Sequence, residues 1–263
     1  MNMIPEFDLT QKVVFITGAG RGIGRGIAEV LAEAGADIAI NALTSRNVES
    51  TAKNIAEKTG RRILPILGDV TTSDGAEKAV QEVLKTFGRI DILINNLGDA
   101  IARPLVKLPD QPGESVSDED LKKVIDVNMM GTIYCTRAVG PHMLARKSGK
   151  IINTSSYTAG HGGKEVVIYS LAKAAVVGFT RTQALEWAPY NIQINSIAPG
   201  LYPEPMELTE EREKALAKWA GKAIPLKRTG RLREVGFLAL YLASSASDYM
   251  TGQTIYLDGG LSL

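Results

Sequence analysis

Cysteine and histidine are nearly missing from these 263 residues, with one and two copies respectively. A lone Cys135 excludes an internal disulfide, and no Cys/His cluster has zinc-ligand spacing, so no metal site is expected. Net charge is missing too: 30 Lys and Arg stand against 29 Asp and Glu, a formal +1. That balance removes the electrostatic case for a nucleic-acid partner, which needs a concentrated basic surface. No apolar run approaches the roughly 18 residues that span a bilayer, so no membrane partner is expected. The opening Met1-Asn2-Met3-Ile4-Pro5-Glu6 lacks the basic and apolar regions of a secretory signal, which points to a cytoplasmic protein. No internal repeat, low-complexity tract or linker divides the chain, so residues 1–263 are expected to form one domain. What is present is core material. Hydrophobic residues make up 44%, which excludes global disorder.

Short β-rich runs alternate with longer helical patterns. Val13-Val14-Phe15-Ile16 is continuously apolar, as a strand buried on both faces should be. Further strands are expected at residues 37–40, 63–67, 90–94, 150–154, 192–195 and 253–257. Helical patterns cover 22–34, 47–58, 73–87, 118–147 with a bend near Gly131, 167–188 and 231–244. This rhythm predicts an α/β fold: a single-domain, Rossmann-like, doubly wound parallel sheet of about seven strands with helices on both faces. Pro104 to Asp118 and Pro199 to Pro225 are rich in Pro, Gly and charge and read as loops. Both follow strands, the fourth and the sixth, and ligands of such sheets bind outside the carboxyl ends of the strands. Both loops are therefore expected to flank a site, with 199–225 as the substrate loop.

Thr17-Gly18-Ala19-Gly20-Arg21-Gly22-Ile23-Gly24 follows the first strand and opens the first helix. Its glycines permit left-handed backbone and close approach of N–H groups to a pyrophosphate. The spacing is G-x3-G-x-G, and a strict G-x-G-x-x-G does not fit. This turn resembles the cofactor turn of the short-chain dehydrogenases/reductases, in the branch of the 3-oxoacyl carrier-protein reductases and glucose dehydrogenases. The resemblance runs along nearly the whole chain: Asp69-Val70, Asn95-Asn96-Leu97-Gly98, Asn128, Ser156, Tyr169-x3-Lys173, Pro199-Gly200 and Asp258-Gly259-Gly260. Each motif is weak alone, and their order and placement are specific together.

Tyr169 and Lys173 lie four apart on a predicted helix, on one face and about one turn apart. A phenol ordinarily titrates near 10, and a neighbouring ammonium favours its ionised form. Tyr169 can then act as general acid in ketone reduction and general base in alcohol oxidation. Ser156 is expected to donate to the substrate carbonyl. Ser155 competes for that role, because neighbouring strand residues face opposite ways. The 13-residue interval to Tyr169 resembles the family pattern and selects Ser156. The resemblance further implies that Lys173 bonds the nicotinamide ribose and that Asn128 bends a helix and holds a water in a relay to Lys173.

The resemblance places the cofactor against Gly18, Arg21, Gly22, Ile23, Gly24, Thr44, Asp69, Val70, Asn96, Tyr169, Lys173, Pro199, Gly200 and Tyr202. Asp69 is expected on the adenine amino group and the Tyr202 backbone on the nicotinamide. Asn95 reads as structural. An acidic residue at the end of the second strand would bind a ribose 2′-OH and repel a 2′-phosphate. That position is about Ala42, followed by Leu43-Thr44-Ser45-Arg46. With no carboxylate there and Arg21 in the turn, NADP(H) is expected ahead of NAD(H). The partner is a small-molecule carbonyl or alcohol, with Asp99, Ile101, Arg103, Tyr157, His161 and residues 201–220 as candidate lining. The apolar helix 167–188 should pack on a partner, and the resemblance implies a homotetramer or homodimer.

Three departures from the family stand out. Leu97 replaces the usual alanine, the stretch between Asn96 and Asn128 is longer than usual, and Glu204 occupies a position where threonine is common. A carboxylate near the cofactor phosphates would repel them, so the loop carrying Glu204 must run differently. Two rivals use the same scaffold: an NAD-preferring alcohol dehydrogenase, and a catalytically idle nucleotide-binding regulatory protein. A Ser156–His161 hydrolase lacks the G-x-S-x-G elbow.

Overall fold

Seven strands are parallel neighbours in the order β3-β2-β1-β4-β5-β6-β7. They are β1 (Val13–Ile16), β2 (Asp37–Ala42), β3 (Ile63–Leu67), β4 (Ile92–Asn95), β5 (Gly149–Thr154), β6 (Ile192–Pro199) and β7 (Thr254–Leu257). The computed structural model describes residues 4–110, 112–205 and 208–263. The order reverses between β1 and β4, which opens a crevice at their carboxyl ends. β1, β4 and β5 are buried along their whole length; β1 is accordingly a continuous apolar run rather than an alternating one, and the buried polar residues Asn95 of β4 and Asn153 of β5 bond each other.

Side chains alternate across the sheet, and two cores result. Val14, Ile16 and Ile38 face α1 (Gly22–Glu33), α2 (Ser45–Thr59) and α9 (Leu232–Ala243). Val13, Phe15 and Ile151 face α3 (Ser73–Phe87), α5 (Gly131–Arg146) and α7 (Val167–Trp187). Cys135 lies wholly buried in the second core, and burial pushes its thiol up to about 12. Trp187 packs there too, against Gly140, while Trp219 is exposed. Asp91, at the start of β4, accepts from the Val13 N–H at 3.0 Å and pairs with Arg89 and Arg146.

The predicted helix over 118–147 is three segments. α4 (Asp118–Ile125) starts at a reciprocal cap between Ser117 and Asp120, a π-helical turn covers Asp126–Met130, and α5 follows. The expectation of a loop across 199–225 is corrected. Residues Glu210–Ala223 form a 14-residue helix, α8, whose first turn carries Glu210, Glu211 and Glu213 and whose cap is Thr209. Its residues are good helix formers, and the acidic start suits the positive helix end. It buries only Ala220, so no apolar stripe announced it. A four-residue helix, α6 (Thr158–His161), follows β5.

Candidate active site

Ser156, Tyr169 and Lys173 converge where β5 ends and α7 begins. Beyond β5, Ser155 donates its hydroxyl to the Lys173 carbonyl at 2.9 Å, tying strand to helix. Ser156 is thereby left for the site, as the opposite facing of neighbours requires. The Ser156 Oγ accepts from the Thr158 N–H at 3.2 Å and from the Thr158 hydroxyl at 3.0 Å. Its own proton is then available to another acceptor. The Tyr169 phenol lies near enough for the Ser156 hydroxyl to lower its pKa. One turn on, Lys173 is fully buried, donates from Nζ to the Thr154 carbonyl at 2.8 Å, and holds Nζ 5.7 Å from the Tyr169 ring centroid.

The electrostatics differ from the sequence expectation. Burial is the main influence on Tyr169 and raises its pKa; the bond with Ser156 lowers it, while Tyr157 and Asp99 raise it further. The net direction is upward, not downward. Lys173 is itself pushed down to about 8 by burial. An ammonium this burdened by lost hydration gives the phenol little help. In the cofactor-free protein Tyr169 therefore holds its proton.

Asn128 is fully buried in the π-helical turn. Its Nδ2 donates to the carbonyls of Asp99 (2.7 Å) and Val124 (2.8 Å), and its Oδ1 accepts from the Asp99 N–H at 3.3 Å. The wider turn gives the side chain room, and the loop after β4 is pinned to it. Gly98 lies between Asn128 and Lys173. A Cβ there would sit 2.9 Å from Asn128 Oδ1 and 3.0 Å from Lys173 Nζ, so any other residue would wedge the two apart.

The glycine turn lies beside this cluster, across the crevice. Gly18 and Gly22 hold positive φ, +62° and +59°, and nothing stands within 4 Å of where a Gly22 side chain would be. Gly24 lets Asn96 approach; a Cβ there would sit 2.5 Å from its Nδ2. Asn96 Nδ2 donates to the carbonyls of Thr17 and Gly18, both at 3.0 Å. Left-handed glycines and the first-turn N–H groups of α1 form a cradle that fits a dinucleotide's pyrophosphate, with the Gly22 N–H bonded here to the Glu204 carboxylate. Among the described residues no group of three or more His, Cys, Asp or Glu could hold a metal.

The sequence profile of the family described as Enoyl-(Acyl carrier protein) reductase matches residues 18–262. The 3-oxoacyl-[acyl-carrier-protein] reductase FabG of Thermotoga maritima is 37% identical over 253 residues, 96% of this chain and 98% of that protein. A short-chain type dehydrogenase/reductase from Mycobacterium marinum superposes with TM-score 0.85 at 37% identity, covering 98% of each chain. The chain belongs to the short-chain dehydrogenase/reductase family. It is an oxidoreductase acting on CH–OH/C=O groups. A gluconate 5-dehydrogenase from Burkholderia cenocepacia, solved with NADP and tartrate, matches at TM-score 0.86 and 34% identity over 98% of each chain.

Within this family frame the remaining expected residues are placed as follows. Thr44 and Arg21 occupy the exposed N-cap positions of α2 and α1 without a side-chain capping bond, and Ile23 follows in the first turn of α1. Asp69 Oδ1 accepts from the N–H and hydroxyl of Thr71, while Val70 is buried in the second core. Asn95 is structural, donating to Thr136 and Asn153. Leu97 packs on Gly18 and Gly131. Pro199 ends β6, and Gly200 lies so close to Asp258 that a Cβ would be 2.7 Å from its Cα. Tyr202 turns its side chain away, donating its hydroxyl to the Leu257 carbonyl at 2.9 Å with its ring against Gly230. Only its backbone is left for a cofactor. Glu204 accepts from the Gly22 N–H at 2.6 Å and pairs with Arg25 at 2.8 Å. His161 is exposed at the end of α6, and the Ser156 side-chain bonds go to Thr158 instead.

Two residues escaped the sequence reading. Thr17 Oγ1 accepts from the N–H groups of Asn96 and Leu97, at 3.0 and 3.1 Å, and joins the ends of β1 and β4. Its signal was a Thr directly before the first turn glycine. Thr158 gave no signal beyond lying two residues after Ser156.

Proposed function

We propose that this protein interconverts a ketone and a secondary alcohol with NADP(H). Asn128, Ser156, Tyr169 and Lys173 form its reacting centre. The observation that carries this is the Ser156–Tyr169 hydroxyl pair lying against buried Lys173 beside the glycine turn. A bound nicotinamide supplies or accepts the hydride. Tyr169 gives a proton to the carbonyl oxygen in reduction and takes it back in oxidation. Ser156 donates to the same oxygen and steadies its developing charge. Lys173 would hold the nicotinamide ribose, and Asn128 would support a proton path to Lys173.

Gly18, Gly22, Ile23 and Gly24 would hold the pyrophosphate. Asp69 and Val70 would meet the adenine, and Asn96, Pro199, Gly200 and the Tyr202 backbone would line the nicotinamide side. The end of β2 presents Ala42 and no carboxylate, while Arg21 and Thr44 are exposed beside it. This supports NADP(H) over NAD(H), as does the NADP-bound gluconate 5-dehydrogenase. Leu171 and Leu185 of α7 are 55% and 79% exposed, which supports burial against further copies in a homotetramer or homodimer. Among the described residues no helix is long and apolar enough to cross a membrane.

Tyr169→Phe tests the reading. NADP+ affinity should persist while ketone reduction falls by roughly 10²-fold or more, the scale of a lost general acid. NADPH oxidation against a ketone panel supplies the assay, run in parallel with NADH. Unchanged turnover in the variant would remove Tyr169 from the chemistry.

A further inference from the structure

Glu204 occupies the place where the pyrophosphate would bind. Its carboxylate accepts from the N–H of Gly22, the first residue of α1, at 2.6 Å, and its other oxygen meets the Arg25 guanidinium at 2.8 Å. The side chain is only 10% exposed. A carboxylate at this helix end satisfies a free donor and sits in the positive end of the helix field. A pyrophosphate uses the same donors and the same field. Two anions cannot share them.

We propose that Glu204 is an internal competitor for the cofactor's anion seat, so that cofactor binding is an exchange of one anion for another. This rests on the functional reading above. Gly200 is fixed by its N–H to the Leu257 carbonyl, and Leu201 accepts from the Gly230 N–H. Tyr202 is fixed by its hydroxyl on Leu257. The chain is therefore anchored up to Tyr202, and from that fixed base Glu204 delivers its carboxylate to the first turn of α1.

Glu204→Gln and Glu204→Ala keep or shorten the side chain and remove its charge. The readout is the dissociation constant for NADP+, by titration calorimetry, with inorganic pyrophosphate as a minimal probe. Both variants should bind NADP+ roughly tenfold tighter, the scale of a lost charged cap and ion pair. Pyrophosphate should tighten in parallel. Glu49→Gln makes the same charge change at an exposed site on α2 and should leave both constants unmoved. Equal or weaker binding in both Glu204 variants overturns the proposal, as does an equal gain in Glu49→Gln. If neither the wild type nor any variant binds a nicotinamide dinucleotide, the functional reading itself falls. If all bind NADP+ alike, only the competition falls.

Discussion

Lys173→Met isolates the cost of burying the ammonium at the centre of the site. Lys173 is fully enclosed, and burial brings its pKa from 10.5 to about 8. That drop corresponds to about 3 kcal/mol of native stability withheld at neutral pH. Below pH 8 the native and the unfolded chain both carry the proton, and the whole cost is present. From there up to 10.5 the unfolded chain keeps a proton that the native one has released, so stability climbs with pH. Above that both are neutral and the cost is gone. Methionine keeps the length of the chain and cannot titrate. Every other group titrates alike in the two proteins, so their difference reports this one site. Urea unfolding at about pH 7 and about pH 9.5 is the assay, and the wild type should gain about 2 kcal/mol on the variant between them. Stability differences that stay parallel across that range would show that the ammonium is not paying for burial. The low pKa argued for the site would then be wrong.

Two further substitutions test neighbouring parts of the argument. Thr158→Val removes the hydroxyl that bonds Ser156 Oγ; kcat should fall about tenfold with the NADP+ dissociation constant unchanged, and Thr158→Ser should restore it. A loss that Ser does not rescue would mean that Thr158 only packs. Burial pushes the Asp91 carboxyl up, but the hydrogen bonds from Arg89, Arg146 and the Val13 N–H outweigh it and leave the pKa lowered. Asp91 thus stabilises the fold above the ordinary carboxylate range, and this is lost as pH falls through its lowered pKa. Asp91→Asn should cost about 3 kcal/mol at neutral pH and flatten the acid limb of the stability profile; an unchanged acid limb would refute this.

The centre of the sheet was legible because strands covered on both faces are rich in apolar residues, and the run at 13–16 matches β1 residue for residue; the run at 63–67 matches the edge strand β3, where only Ile66 is buried. The glycine turn was legible because positive φ restricts the residue choice at 18 and 22. α8 was not, since a charged helix that buries only Ala220 has no apolar period to read. At Asn128 a bend was expected, while its π-helical form, whose wider turn leaves no mark in composition, was not. The direction of the Tyr169 pKa was missed for a related reason. Spacing reveals that Lys173 is near, while the loss of water around both groups depends on packing from β5 and α7. The contact of Glu204 with Gly22 joins positions far apart in sequence, and only the folded chain brings them together.

α1 and α9 meet through glycines: a Cβ on Gly26 would sit 2.6 Å from that of Leu232, and one on Gly236 would sit 2.6 Å from Val30. Arg233 and Glu33 close the same seam at 2.6 Å. The helix that begins at the nucleotide turn thus leans on a segment 200 positions further along the chain. Part of its apolar flank is covered only once both segments are in place, so the nucleotide turn takes its firmness from a long-range contact.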